Sequence, residues 1–381
     1  MNVAIYGTMN VSLVTKMVIE KYYNALLTRA NAEAFDVVAF VGEEAEAKET
    51  DTDAITITSK QFVKLYKKNM IAGLIIPIMD TFEQLSLVTD LIKMGVSIND
   101  IYYAERLEKC SGPKEEWLAD FIIPYLEKKY LPYLEFHVAD QCNLNCRACE
   151  HYSGLVAMEC FPVYEKVEQD LKKLKEYIQD IGIIRILGGE PLLNKELEKY
   201  ILLTREIFPL ATIYVVTNGL AIKTQKETLF NAMRTANVGF NISWYPPLEH
   251  KKDEISAFLD EKQVSYGFSS LITTFTKKQT LVKKDKNIFY SCYQAHCNNL
   301  YDGKVAACFL PFTTKYFNEY FGKELPEDGA IDLYDNNLST EKLKARLLIP
   351  FERCAYCTEP VEIPWGMIGN PSVLGDWVIE E

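Results

Sequence analysis

Short runs of β-branched and apolar residues alternate with stretches of helical periodicity along most of the chain, a pattern that predicts parallel sheets joined by crossover helices. In the first hundred residues the runs 3–6, 37–41, 54–57, 73–78 and 100–103 read as strands, and the acidic stretch 42–53 reads as a solvated loop between two of them. Residues 111–130 open on Ser111, Gly112 and Pro113 and then place Trp117, Phe121 and Tyr125 on one face, which predicts an amphipathic connector helix. A second series starts with the strand 134–138 and continues with strands 183–187, 213–216 and 238–242, separated by helical segments at about 194–208, 223–235 and 251–262. Val163, Val167, Leu171, Leu174, Ile178 and Ile181 share a helical face. They predict a helix over 162–181 with Pro162 in the first turn, where its missing N–H costs nothing.

The fold class is therefore α/β, with three expected parts. Residues 1–110 form a small Rossmann-like domain, resembling those attached to enzymes of sugar and cell-surface glycan pathways. The glycine signature that lets a pyrophosphate approach the backbone is missing, because Gly7 is followed by Met9 and Ser12. A structural or docking role is the favoured reading for this part. After the connector at 111–130, residues 131–286 form a partial (β/α)6 TIM-like barrel, whose chemistry belongs at the C-terminal ends of its strands. Residues 287–381 form a cysteine-rich domain and tail.

Composition narrows the partners. Of 381 residues, 48% are apolar and 25% charged, which is the mix of a globular protein, and the net charge of −12 without a basic stripe argues against nucleic acid and anionic membranes. No run approaches the roughly 18 apolar residues that a bilayer span needs. The first twelve residues lack the pattern of a signal peptide, so a cytoplasmic location is expected. There the thiol pool disfavours disulfides, and ten cysteines, nine of them after residue 140, point to metal binding or chemistry.

Directly after the strand 134–138 comes Asp140-Gln141-Cys142-Asn143-Leu144-Asn145-Cys146-Arg147-Ala148-Cys149, a CxxxCxxC spacing in a loop. Such a loop can wrap three thiolates around one iron-sulfur cubane and leave one iron open. Gly188-Gly189-Glu190-Pro191 follows at the next strand end, then Thr217-Asn218-Gly219, then Asn241 and Ser243. These motifs resemble the radical S-adenosylmethionine superfamily over roughly residues 131–290. The resemblance implies that Cys142, Cys146 and Cys149 hold a 4Fe-4S cluster whose open iron is chelated by S-adenosylmethionine. It further implies that Gly188, Gly189, Glu190 and Pro191 position the methionyl amino group, with Thr217, Asn218, Asn241 and Ser243 contacting the ribose and carboxylate. Asn-Gly is also a turn signal, which is the rival reading of that pair. Ala148 stands where the family commonly has an aromatic residue. A structural zinc loop is the alternative for the three cysteines.

Further on, Cys292, Gly303 and Cys308 follow a C-x10-G-x4-C pattern, and Cys354 with Cys357 forms CxxC. This resembles the single-cluster form of the SPASM domain, called twitch, and implies an auxiliary 4Fe-4S cluster. Cys297 either replaces Cys292 as a ligand or remains a free thiol, and zinc is again the alternative metal. The segment Glu150-His151-Tyr152-Ser153 looks like one found in a radical branch of sugar and glycan biosynthesis. His151 is a candidate for moving a proton from a sugar hydroxyl, or else orients the loop. Cys160 is a candidate hydrogen-atom donor, against the plainer role of a small buried hydrophobe. The resemblance implies hydrogen abstraction from a sugar or sugar-conjugate small molecule, ending in dehydrogenation, epimerisation or dehydration, with electrons from a donor such as flavodoxin or ferredoxin. A peptide-modifying enzyme and a non-catalytic iron-sulfur redox sensor are the rival functions.

Overall fold

In the computed structural model, which describes residues 1–42, 54–79, 83–106 and 120–379, the chain divides into two compact units, Met1–Lys129 and Tyr130–Glu381. The first unit is built on strands β1 (Asn2–Tyr6), β2 (Asp36–Val41), β3 (Ile55–Ile57), β4 (Gly73–Pro77), β5 (Ile101–Ala104) and β6 (Ile122–Pro124). Their order is β3-β2-β1-β4-β5-β6, and all neighbours are parallel except β5 and β6. Helices Met9–Val18, Ser59–Tyr66 and Glu83–Lys93 make crossovers. Buried on both faces, β1 and β4 are nearly all apolar, as central parallel strands must be. The order reverses between β1 and β4, which makes the sheet doubly wound.

The connector helix is corrected where the chain is described. Positions 111–119 lie outside the described residues, as do 43–53 of the acidic loop and Cys110, but 122–124 form β6 rather than helix. Ile122 and Ile123 are β-branched, and Pro124 lacks the N–H that a helix interior would need. At the sheet edge that missing donor is tolerated.

In the second unit, strands β7 (Tyr130–Ala139), β8 (Asp180–Gly188), β9 (Thr212–Thr217), β10 (Gly239–Ile242) and β11 (Tyr266–Phe268) alternate with helices Tyr164–Tyr177, Leu197–Ile207, Glu227–Ala236 and Lys252–Lys262. The predicted helix over 162–181 thus stops at Tyr177, and Ile181 belongs to β8, where Ile181, Ile183 and Ile184 pair with β7. After the antiparallel pair β12 (Thr274–Gln279) and β16 (Cys357–Pro364), the remaining strands are β13 (Asn299–Tyr301), β14 (Lys304–Ala306) and β15 (Ile331–Asp332). The sheet order is β11-β10-β9-β8-β7-β13-β14-β15, with β13 parallel to β7. This is the six-stranded partial barrel that the alternation predicts, but its sixth parallel strand comes from the cysteine-rich region and joins beside β7.

One apolar core runs from β7 to β10 into the flanking helices, including Leu134, Phe136, Leu171, Ile184, Val215 and Phe240. Along β7 the other face carries Tyr133, Glu135 and His137, all buried and polar. Strand alternation sends one set to the helices and the other to the interior of the barrel.

Candidate active site

The loop after β7 begins with an anchor. Asp140 is 4% exposed, and its Oδ1 lies 2.8 Å from His137 Nδ1 while Oδ2 accepts from Tyr301 Oη at 2.7 Å, from Tyr316 Oη and from Cys160 Sγ at 3.4 Å. Burial pushes its carboxyl upward, but His137 and the two tyrosine hydroxyls together hold it well below the usual carboxylate range. The loop therefore starts from a fixed charge.

From there Cys142, Cys146 and Cys149 reach one wall of a cavity of ≈ 270 Å³. Leu144 N at 3.4 Å and Asn218 Nδ2 at 3.6 Å both donate to Cys142 Sγ, the contacts an anionic sulfur ligand requires. Burial pushes Cys142 and Cys146 up to about 12 and raises Cys149. Ala148 has φ +58°, a left-handed conformation in which a bulky side chain would be strained further. The outer edge of the loop is covered by the tail. Arg147 N donates to Gly366 O at 2.7 Å, Ile368 N donates to Asn145 O at 2.8 Å, and Cys146 pairs antiparallel with Met367. Trp365 stacks on Tyr245, which lines the cavity. The role of this tail is not visible in the sequence.

The GGEP segment locks the end of β8 to the same loop. A Cβ on Gly188 would stand 1.9 Å from Ala139 O, and one on Gly189 would stand 2.1 Å from Gln141 O. The close approach that these glycines permit is thus to the chain's own backbone, sealed by Gly189 N to Ala139 O at 2.7 Å and Glu190 N to Gln141 O at 3.0 Å. Glu190 is fully buried. It accepts from Thr217 Oγ1 at 2.7 Å, Asn218 N at 2.9 Å and Leu192 N at 3.0 Å, and burial lifts its carboxyl to about 7. Pro191 opens a buried 3-10 turn behind it. Gly188, Gly189, Thr217, Asn218 and Ser243 line the cavity, whereas Glu190, Pro191 and Asn241 do not.

His151 also lines the cavity, with its Nε2 unpartnered and its ring 4.2 Å from that of Phe309. Burial and the neighbouring His137 lower its pKa to about 3. Cys160 stands elsewhere: its thiol belongs to the Asp140 anchor and it does not line the cavity. The cavity floor holds residues that motif reading passes over, Tyr133, Glu135, Arg185 and Gln294. For Tyr133 and Glu135 on β7 and Arg185 on β8 the signal is a polar position within a strand otherwise buried like a core strand, whereas Gln294, in a 3-10 turn, has none.

The second cysteine set assembles from three separated segments. Burial pushes Cys308 well up, with Cys354 and Cys292 adding to it; Cys354 rises to about 12 by burial, with Cys357 and Cys292 beside it. Cys357 is raised by burial and further by Cys292, against Arg353 and Lys278. Two buried cations flank these thiols. Lys278 is 3% exposed, lies 3.9 Å from Cys292 Sγ and pairs with Glu150 at 3.2 Å, while Arg353 is fully buried. A cluster held by four thiolates carries net negative charge, so buried cations suit it. Cys297 lines the first cavity, where Glu135 is its strongest charged neighbour, with Lys278 and Cys292 also near it.

A parallel sheet with a three-cysteine loop at the end of its first strand and a glycine-locked acid at the end of its second defines a class. Residues 137–253 match the family model described as Radical SAM superfamily, a family that uses a 4Fe-4S cluster and S-adenosylmethionine. Among curated relatives, the chain is similar to GTP 3',8-cyclase of Thermodesulfovibrio yellowstonii, at 33% identity over 115 residues covering 29% of this chain and 35% of the relative. It is also similar to GTP 3',8-cyclase of Alkaliphilus metalliredigens, at 32% over 153 residues covering 38% and 44%. The chain thus spans less than half the length of the curated relatives it matches. Among solved structures, BtrN in complex with AdoMet and 2-DOIA matches over 61% of this chain and 93% of that one, with 18% identity and a TM-score of 0.38. Streptococcus suis SuiB bound to precursor peptide SuiA matches over 38% and 34%, with 15% identity and a TM-score of 0.30. No helix among the described residues is long and apolar enough to cross a membrane.

Proposed function

We propose that the protein is a radical S-adenosylmethionine enzyme that abstracts a hydrogen atom from a sugar or sugar-conjugate small molecule, in an oxidoreductase or isomerase reaction. The observation that carries this reading is the cavity itself: three cysteines on one wall, and Tyr133, Glu135, Arg185 and Gln294 on its floor. Such a floor matches a hydroxyl-rich substrate, because buried donors and acceptors reward a ligand that pairs them and reject one that does not.

Cys142, Cys146 and Cys149 would hold the 4Fe-4S cluster, which with S-adenosylmethionine bound supplies a 5'-deoxyadenosyl radical. Asn218, Ser243 and Thr217 hold the cofactor's polar groups, while Glu190 acts through Thr217 and Asn218 by fixing their orientation. His151, kept neutral by its burial, presents an unpartnered ring nitrogen for a hydrogen bond with a substrate hydroxyl. Glu135 and Arg185 orient the sugar. Cys292, Cys308, Cys354 and Cys357 would hold a second cluster, whose chemistry is one-electron transfer, beside the cationic Lys278. Flavodoxin or ferredoxin is the expected electron donor.

Anaerobic reconstitution tests the reading. The reduced protein is expected to bind about two 4Fe-4S clusters and to move deuterium from labelled nucleotide sugars into 5'-deoxyadenosine. Transfer only from labelled precursor peptides, or no 5'-deoxyadenosine at all, would sink it.

A further inference from the structure

In the first unit, the C-terminal ends of β1 and β4 meet at the point where the sheet order reverses, the place where doubly wound sheets take ligands. Gly7 follows β1 with φ +137°, and a Cβ there would lie 3.4 Å from Met79 Cε and 3.7 Å from Ser12 Oγ. A side chain at position 7 would therefore pack against that hydroxyl, in a backbone conformation that favours glycine. Helix Met9–Val18 then begins with no acidic residue in its first turn, and Thr8 at the N-cap makes no capping hydrogen bond. The N–H groups of Met9, Asn10 and Val11 have no helical acceptor upstream of them, and the helix dipole adds positive potential there.

The second observation is Ser12 itself. It is fully buried, yet its Oγ has no hydrogen-bond partner. Thr15, one turn further on, satisfies its hydroxyl on Val11 O at 2.8 Å, so the helix can accommodate such a group when nothing else needs it. Across the crevice the turn after β4 is pinned by Gln84, whose Nε2 donates to Pro77 O and whose Oε1 accepts from Met79 N at 3.2 Å. The nearest atom to a side chain built on Gly7 is Cε of Met79, at the end of a flexible thioether that can swing aside.

We propose that this crevice binds the phosphate groups of a nucleoside diphosphate, on the first-turn N–H groups with the Thr8 and Ser12 hydroxyls as further donors. The residues of this site all belong to the first unit, whereas both cysteine sets belong to the second. Ser12 stands at the third glycine position of the usual fingerprint and supplies a side-chain donor there.

The test is calorimetry on the full-length, anaerobically purified protein with UDP, ADP and uridine. At least one diphosphate should bind while uridine does not. Ser12→Ala should weaken that binding about tenfold, as expected for one lost hydrogen bond to a charged group. The same variant should melt no lower than the parent without ligand, because it removes an unpaired buried hydroxyl, and should lose most of the ligand-induced rise in Tm. Thr8→Val, at an exposed position, should weaken binding without touching the fold. No binding of UDP or ADP at millimolar concentration, uridine binding as tightly as UDP, or both variants binding like the parent would each overturn the proposal.

Discussion

The two cysteine sets of the second unit differ in how they come together. Cys142, Cys146 and Cys149 lie within eight consecutive residues, so a single loop fixed at Asp140 delivers all three to one cavity wall. Cys292, Cys308, Cys354 and Cys357 come from three separate segments of chain that the fold brings near one another. A local site is specified by spacing, whereas an assembled site is specified by everything that folds around it. The first can be read from sequence, and the second chiefly from the buried charges it gathers.

The largest expected effect separates the two directly. Cys146→Ala should lower 5'-deoxyadenosine formation on the order of a thousandfold, to background, because a cluster ligand is lost. Cys354→Ala should halve the bound iron yet leave S-adenosylmethionine cleavage within about tenfold while abolishing the sugar product. Equal loss of cleavage in both variants would erase the distinction, and chromatographic assay of 5'-deoxyadenosine with iron analysis decides.

Next in size is the charge that only the assembled site needs. Lys278→Met should lower the midpoint potential of the second cluster by several tens of millivolts, since a buried cation stabilises the reduced, more negative form. A redox titration followed by electron paramagnetic resonance should show the first cluster unmoved. Smaller still, Thr217→Val removes one of the three donors to Glu190, and chemical denaturation should show a loss of about 1–2 kcal/mol with weaker cofactor binding. The smallest effect sharpens the ligand assignment. Cys297→Ser should leave iron at both sites unchanged, whereas Cys292→Ser should cost the second site its metal.

The sequence made much of this legible because parallel strands buried on both faces and amphipathic helices carry strong local signals. Strand positions in the first unit are met within a residue or so, as in β4, expected at 73–78 and found at Gly73–Pro77. The connector failed because Trp117, Phe121 and Tyr125 mimic a helical face, while Pro124 and the pairing of Ile123 with Tyr103 decide for a strand. In the site, the cysteines and the GGEP segment were legible as motifs. What the glycines approach was not, since the answer lies in the carbonyls of Ala139 and Gln141 rather than in a ligand. Tyr133, Glu135 and Arg185 carry no motif and declare themselves only once strand faces are known. Cys297 and Cys160 could be placed only by their neighbours.

The pairing of the tail with the cysteine loop has a consequence for synthesis. Arg147 donates to Pro364 O across 217 positions, so during synthesis one edge of the loop stays bare until Pro364 and the residues that follow it have been made. A chain cut short before Pro364 would present Cys142, Cys146 and Cys149 without that cover.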